Sequence, residues 1–146
     1  MKTLKLNSAV VFVAVVAGLG ACGSDPNDSA DATSNDISGT VEEWVVQTDS
    51  STAKAGEVMF TITNEGTIGH EFLVVKTDIV PGNIPLEGDH FAEPTDGIEV
   101  IDEIGEFAKG TTETLTLTLD AGTYQLVCNL PDHYSAGMYI RFTVVA

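Results

Sequence analysis

Three residues in one short loop carry side chains that suit a soft metal ion. The segment CNLPDHYSAGM spaces Cys128, His133 and Met138 at regular five-residue steps. A thiolate and an imidazole favour a soft or borderline ion, and a thioether adds a weak ligand that matters mainly for copper. A fourth ligand is needed, and His70 is a candidate, because it opens a strand pattern after the turn NEGTIG whereas Cys128 closes one. If those two strands are antiparallel neighbours, the start of one and the end of the other meet at one pole of the domain. Two imidazoles, one thiolate and a more distant thioether then converge, the trigonal His2Cys donor set with an axial Met that serves blue-copper electron transfer. Taken singly, each residue has a commoner fate. His70 could cap a backbone carbonyl, Cys128 could fill core space, Met138 could plug a gap, and His133 could be a solvated loop residue. Their combination is what points to copper. His90, in GDHFAEP, has no partner at ligand spacing and is read as a surface histidine.

Strands must position these residues, and period-two alternation runs through the C-terminal two thirds of the chain. It is clearest in TLTLTL at 114–119, where leucines face a core and threonines face water. By the same rule strands are expected at 40–47, 57–64, 70–77, 98–107, 112–119, 123–128 and 138–145. The turn signals KAG, NEG, KG and DAG separate them. Seven short strands with close turns indicate an all-β, antiparallel sandwich or barrel and exclude a parallel sheet with crossover helices. The segment 78–97, with Pro81, Pro85 and Pro94, is expected to be a long surface excursion with one helical turn. Asn64, Gly66 and Gly69 read as turn chemistry, and Trp44 as core packing.

The N-terminus has a different character. Lys2 and Lys5 precede an apolar run from Ala9 to Ala21, too short for an ordinary membrane span, so residues 1–21 read as a secretory signal. Leu19, Gly20, Ala21 and Cys22 resemble a bacterial lipobox, in which the cysteine is lipidated and becomes the mature N-terminus. That leaves Cys128 as a solitary thiol in an exported protein, which a metal thiolate explains. Residues 22–38 then comprise the lipidated Cys22 and a flexible acidic linker rich in Ser, Asp and Asn, and 39–146 form the folded domain. The chain has 22 acidic and 6 basic residues among its 146, a formal net charge of −16. Removing Asp25, Asp28, Asp31 and Asp36 with the leader leaves 18 acids against Lys54, Lys76, Lys109 and Arg141, or −14 for the domain. So acidic a surface excludes nucleic acid as a partner.

The residues quoted above resemble the cupredoxin family, the small blue copper proteins related to plastocyanin, azurin and rusticyanin. The spacing of Cys128, His133 and Met138 is most similar to the rusticyanin and sulfocyanin branch, and the resemblance extends through the closing strand YIRFTVV. It implies an eight-stranded Greek-key sandwich holding one copper through His70, Cys128, His133 and Met138, and cycling between Cu(II) and Cu(I). Two positions depart from the family pattern. Many members carry Asn after the first copper histidine, where it ties the ligand loops together, but Glu71 stands here; Asp132 stands where related loops often carry Gly. The resemblance also implies that the edge of His133 reaches the surface through an apolar patch with Leu130, Pro131, Tyr134, Ala136 and Gly137. The expected function is a monomeric electron carrier, lipid-anchored at the extracytoplasmic face of a bacterial membrane and serving a cytochrome or oxidase domain. A copper-delivery or buffering lipoprotein is the alternative, disfavoured because only Met59 and Met138 remain once the leader is removed. A multicopper enzyme would need more than the three histidines present.

Overall fold

The computed structural model describes residues 34–146, Pro94 excepted. The expected signal segment 1–21, the expected lipidation site Cys22 and the expected linker as far as residue 33 lie outside the described residues. Nine strands and one helical turn follow in chain order: β1 Asp36–Glu42, β2 Val45–Thr48, β3 Thr52–Lys54, β4 Gly56–Asn64, β5 His70–Lys76, β6 Glu99–Phe107, β7 Thr112–Leu119, β8 Gly122–Val127, α1 His133–Ala136 and β9 Tyr139–Val145. They form two sheets, ordered β2-β1-β4-β7 and β3-β9-β8-β5-β6. The all-β sandwich expected from the sequence is therefore present. Among the described residues no helix is long and apolar enough to cross a membrane.

Alternation explains the first sheet. In β4 the residues Val58, Phe60 and Ile62 turn inward while Met59 faces out, and β7 answers with Leu117 opposite Val58 and Leu115 opposite Phe60. Between the sheets Phe60 meets Phe72 and Phe142 at ring-centroid distances of 5.5 and 5.4 Å. This aromatic contact is the centre of the main core.

The second sheet is buried on both sides at its middle. One face of β5 sends Phe72 and Val74 into the main core, while Leu73 and Val75 join a second cluster with Ile84, Phe91, Val127 and Tyr134. The excursion 78–97 supplies Ile84 and Phe91 and so covers the outer face of the sheet. That is why FLVV reads as a continuous apolar run instead of an alternating one.

Several expectations need correction. The 40–47 segment is a hairpin of β1 and β2 that turns at Glu43 and Trp44, not one strand. β3 is only three residues long and pairs in parallel with the end of β9, too short to show a period. β1 starts at Asp36, three residues before the expected domain boundary, because Ile37 buries itself in the core and pairs with Phe60 across a parallel ladder. Its polar neighbours masked that one apolar residue. Among the described residues of 78–97 there are turns and a Glu87–His90 bridge but no helical turn; the short helix lies at His133–Ala136 instead.

Candidate metal centre

Sheet parity puts all four expected ligand residues on the inner side of one pole. β5 and β8 are antiparallel neighbours, with Leu73 opposite Val127, so the start of β5 lies beside the end of β8. His70 shares its face with Phe72 and Val74, and Cys128 shares its face with Tyr124 and Leu126. β9 lies on the other side of β8, with Val127 opposite Tyr139. Met138 continues the inward series of Ile140, Phe142 and Val144, and its carbonyl accepts from the Cys128 N–H at 3.0 Å.

His70 Nδ1 and His133 Nδ1 lie 3.2 Å apart, and Cys128 Sγ lies 3.2 Å from His133 Nδ1. The ligating atoms of His70, Cys128 and His133 all fall within 4.8 Å of one another, and all three residues are buried. Burial lowers the pKa of both imidazoles, so at neutral pH their lone pairs are free to bind a metal. Burial also pushes the Cys128 thiol up to about 11, although N–H groups of Glu71 and Leu130 partly offset it. A thiolate at this place needs a cation, and a bound metal supplies one. Two imidazole lone pairs and one sulfur aimed at a common point thus fit a copper ion. Met138 is wholly buried in the same cluster as Cys128.

Hydrogen bonds from surrounding residues tie together the segments that carry His70 and Cys128. Glu71 does what the expected Asn would do: its Oε1 accepts from the Asn129 N–H at 2.7 Å, tying the His70 strand to the Cys128 loop. Its own N–H points at Cys128 Sγ at 3.4 Å. Burial, helped by the negative neighbours Glu103, Glu93 and Glu106, raises the Glu71 carboxyl to about 6. Asn129 was not singled out from sequence, yet it clamps the excursion to the ligand loop. Its Oδ1 accepts from the Phe91 N–H at 3.0 Å and its Nδ2 donates to the Phe91 carbonyl at 2.9 Å. An Asn directly after a ligand Cys was the available signal. Asp132 has φ 67°, a left-handed conformation that explains why related loops favour Gly and that Asp tolerates better than most residues. Asn64 makes the expected turn, accepting from the Gly66 N–H at 2.9 Å, and also donates to the carbonyls of Ile68 and Phe107.

Two surface expectations change. Trp44 is not core: it is 45% exposed and sits edge-on to His133 with ring centroids 5.1 Å apart. Its place in a hairpin turn, which alternation over 40–47 concealed, carries it to the rim. His133 is consequently only 7% exposed, and Tyr134 is buried, with its hydroxyl donating to Gln125 and accepting from the Gly82 and Ile84 N–H groups. Tyr134 therefore drops out of the expected apolar patch, in which Pro131 and Ala136 are exposed and Leu130 and Gly137 half-buried, while Trp44 and Ile68 add exposed apolar surface at this pole. His90 is at the surface as expected, with Nδ1 2.7 Å from Asp89 Oδ1.

Comparison with known proteins bears on the whole domain. The family model described as copper binding proteins, plastocyanin/azurin family, matches residues 33–145. No curated protein sequence matches the chain. Among solved structures it is similar to dithionite-reduced auracyanin from Roseiflexus castenholzii, with 25% identity and TM-score 0.59 over 78% of this chain and 99% of that one. Reduced rusticyanin matches with 19% identity and TM-score 0.53 over 75% and 77% of the two chains. An azurin from Methylomonas sp. strain J matches with 17% identity and TM-score 0.55 over 76% and 98%. A two-sheet sandwich that gathers His70, Cys128 and His133 at one pole, matched over almost all its described length by that family model, places this chain in the plastocyanin/azurin family of copper-binding proteins, the cupredoxins.

Proposed function

We propose that the chain carries single electrons, and that His70, Cys128 and His133 would hold one copper with Met138 as a weak fourth ligand. The carrying observation is that the ligating atoms of His70, Cys128 and His133 lie buried within 4.8 Å of one another, with Met138 buried in the same core as Cys128 and the exposed Trp44 ring against His133. Bound copper supplies the one-electron Cu(II)/Cu(I) couple. The chain fixes the ligands beforehand through the strand ends, the Glu71–Asn129 tie and the Asn129 clamp, so little has to move when the charge changes. Such burial disfavours copper delivery, which requires ligands that an acceptor can reach. It equally suits a carrier over an oxidase, since His90 alone is left over for any second copper.

Trp44 and Ile68, 45% and 43% exposed, form the apolar contact through which a redox partner docks. Around them lie carboxylates: Glu43, Asp132 and Glu106 are close enough to His133 to favour its protonated form against burial. A basic partner such as a cytochrome or an oxidase domain fits this face. The N-terminal signal pattern and Cys22 support export and lipid anchoring at the extracytoplasmic membrane surface. Stopped-flow oxidation and reduction of the copper-loaded chain by a cationic and an anionic small redox protein, over a salt series, tests the reading. Repeated cycling without loss of colour is expected, with the cationic partner slowing by about 10-fold from millimolar to physiological salt. Failure to cycle contradicts the carrier role, and equal, salt-independent rates contradict the docking face.

A further inference from the structure

The His70 ring has two unequal sides. Nδ1 faces His133 and the cluster, while Nε2 points away from it and has no hydrogen-bond partner. Among the described residues it is the buried side-chain nitrogen or oxygen left so. A buried orphan donor is costly, and metal-binding histidines almost always give their outer N–H to an acceptor that fixes the ring.

The facing group is Glu43, whose Oε1 lies 4.0 Å from Nε2. This carboxylate is held in place. Oε1 accepts from the Thr67 N–H at 2.8 Å, the Thr67 hydroxyl at 2.9 Å and the Ile68 N–H at 3.0 Å. Those bonds, the Thr67 N–H foremost, bring the Glu43 carboxyl down to about 2, so it stays charged at any physiological pH. Gly66 keeps the space between carboxylate and ring open. A Cβ there would lie 2.8 Å from Glu43 Oε2 and 2.9 Å from His70 Nε2, inside normal contact distance of both. The hairpin turn of β1 and β2 thus delivers a fixed negative charge to the back of a copper ligand.

We propose that Glu43 is a positioning residue for the copper, holding the outer N–H of His70 electrostatically and favouring Cu(II) over Cu(I). The inference rests on copper occupying the His70, Cys128 and His133 cluster. With Nε2–H turned to Glu43, Nδ1 presents its lone pair to the metal. The negative charge stabilises the more highly charged ion of the couple, so its removal raises the reduction potential.

Glu43→Gln tests this in the full, copper-loaded chain, because Gln keeps the length and one acceptor oxygen for Thr67 and Ile68. The expected result is a fall of about tenfold in the ratio of Cu(II) to Cu(I) affinity, read as a rise of about 59 mV in potential. Thr67→Val removes one tether but leaves the charge, and its potential should stay at the wild-type value. An unchanged potential in Glu43→Gln, or an equal rise in Thr67→Val, overturns the proposal while the copper site stands. Absence of coloured copper in the wild-type chain removes both.

Discussion

Each candidate ligand at the metal pole is set by residues beside it as much as by its own chemistry. Cys128 sits against the N–H of Glu71, His133 lies under Trp44, and His70 faces Glu43. Met138 differs, because its tie to the site is through the backbone at Cys128 and through shared burial. In the proposed role of weak fourth ligand it would tune the metal more than hold it. Met138→Leu is therefore expected to keep copper and raise the reduction potential, and Met138→Gln to lower it, by voltammetry of the loaded protein. Potentials unchanged in both variants would take Met138 out of the site. The grouping of His70, Cys128 and His133 was legible in the sequence, since residue type and spacing determine what can bind a soft ion, and Met138 remains a proposed fourth ligand. Glu43, Trp44 and Asn129 were not legible as site residues. Their roles depend on where a turn carries them, and no spacing along the chain encodes that.

The longer strands were read closely from period-two alternation, and β7 is the plainest case because Thr and Leu separate water from core without interruption. The failures came where alternation is short or overruled. β3 has too few residues to show a period, and the β1–β2 hairpin reads as one strand because its turn contains neither Gly nor Pro. The excursion 78–97 could be seen as long, but not that it covers a sheet face and grips the ligand loop. Asn129 is the hinge of that grip. Asn129→Ala would strand the Phe91 N–H and carbonyl, both facing a buried side chain. Leaving such groups unpaired costs about 1–3 kcal/mol. Urea unfolding of the metal-free protein should show a loss of that size, together with faster proteolysis within 78–97. A loss under about 0.5 kcal/mol would show that Phe91 and its hydrophobic cluster hold the loop without the clamp.

At the scale of the whole molecule, one acidic sandwich places a buried soft-metal donor set under a small apolar rim at one end. The net charge of −16 spreads over a chain whose copper pole is itself rich in carboxylates, so electrostatics and the apolar contact act on the same face. On the proposed electron-carrier reading, long-range charge selects the partner and the small contact lets it leave. All of this depends on copper being held by Cys128 together with the two histidines. Titration of the purified chain with Cu(II), in wild-type and Cys128→Ser forms, tests that claim most directly. An intense thiolate-to-copper charge-transfer colour is expected, saturating at one copper per wild-type chain. The serine variant should stay colourless yet folded, because the core around Phe60, Phe72 and Phe142 does not depend on the sulfur. A wild-type chain that stays colourless, or a serine variant that develops the same colour, would contradict that claim.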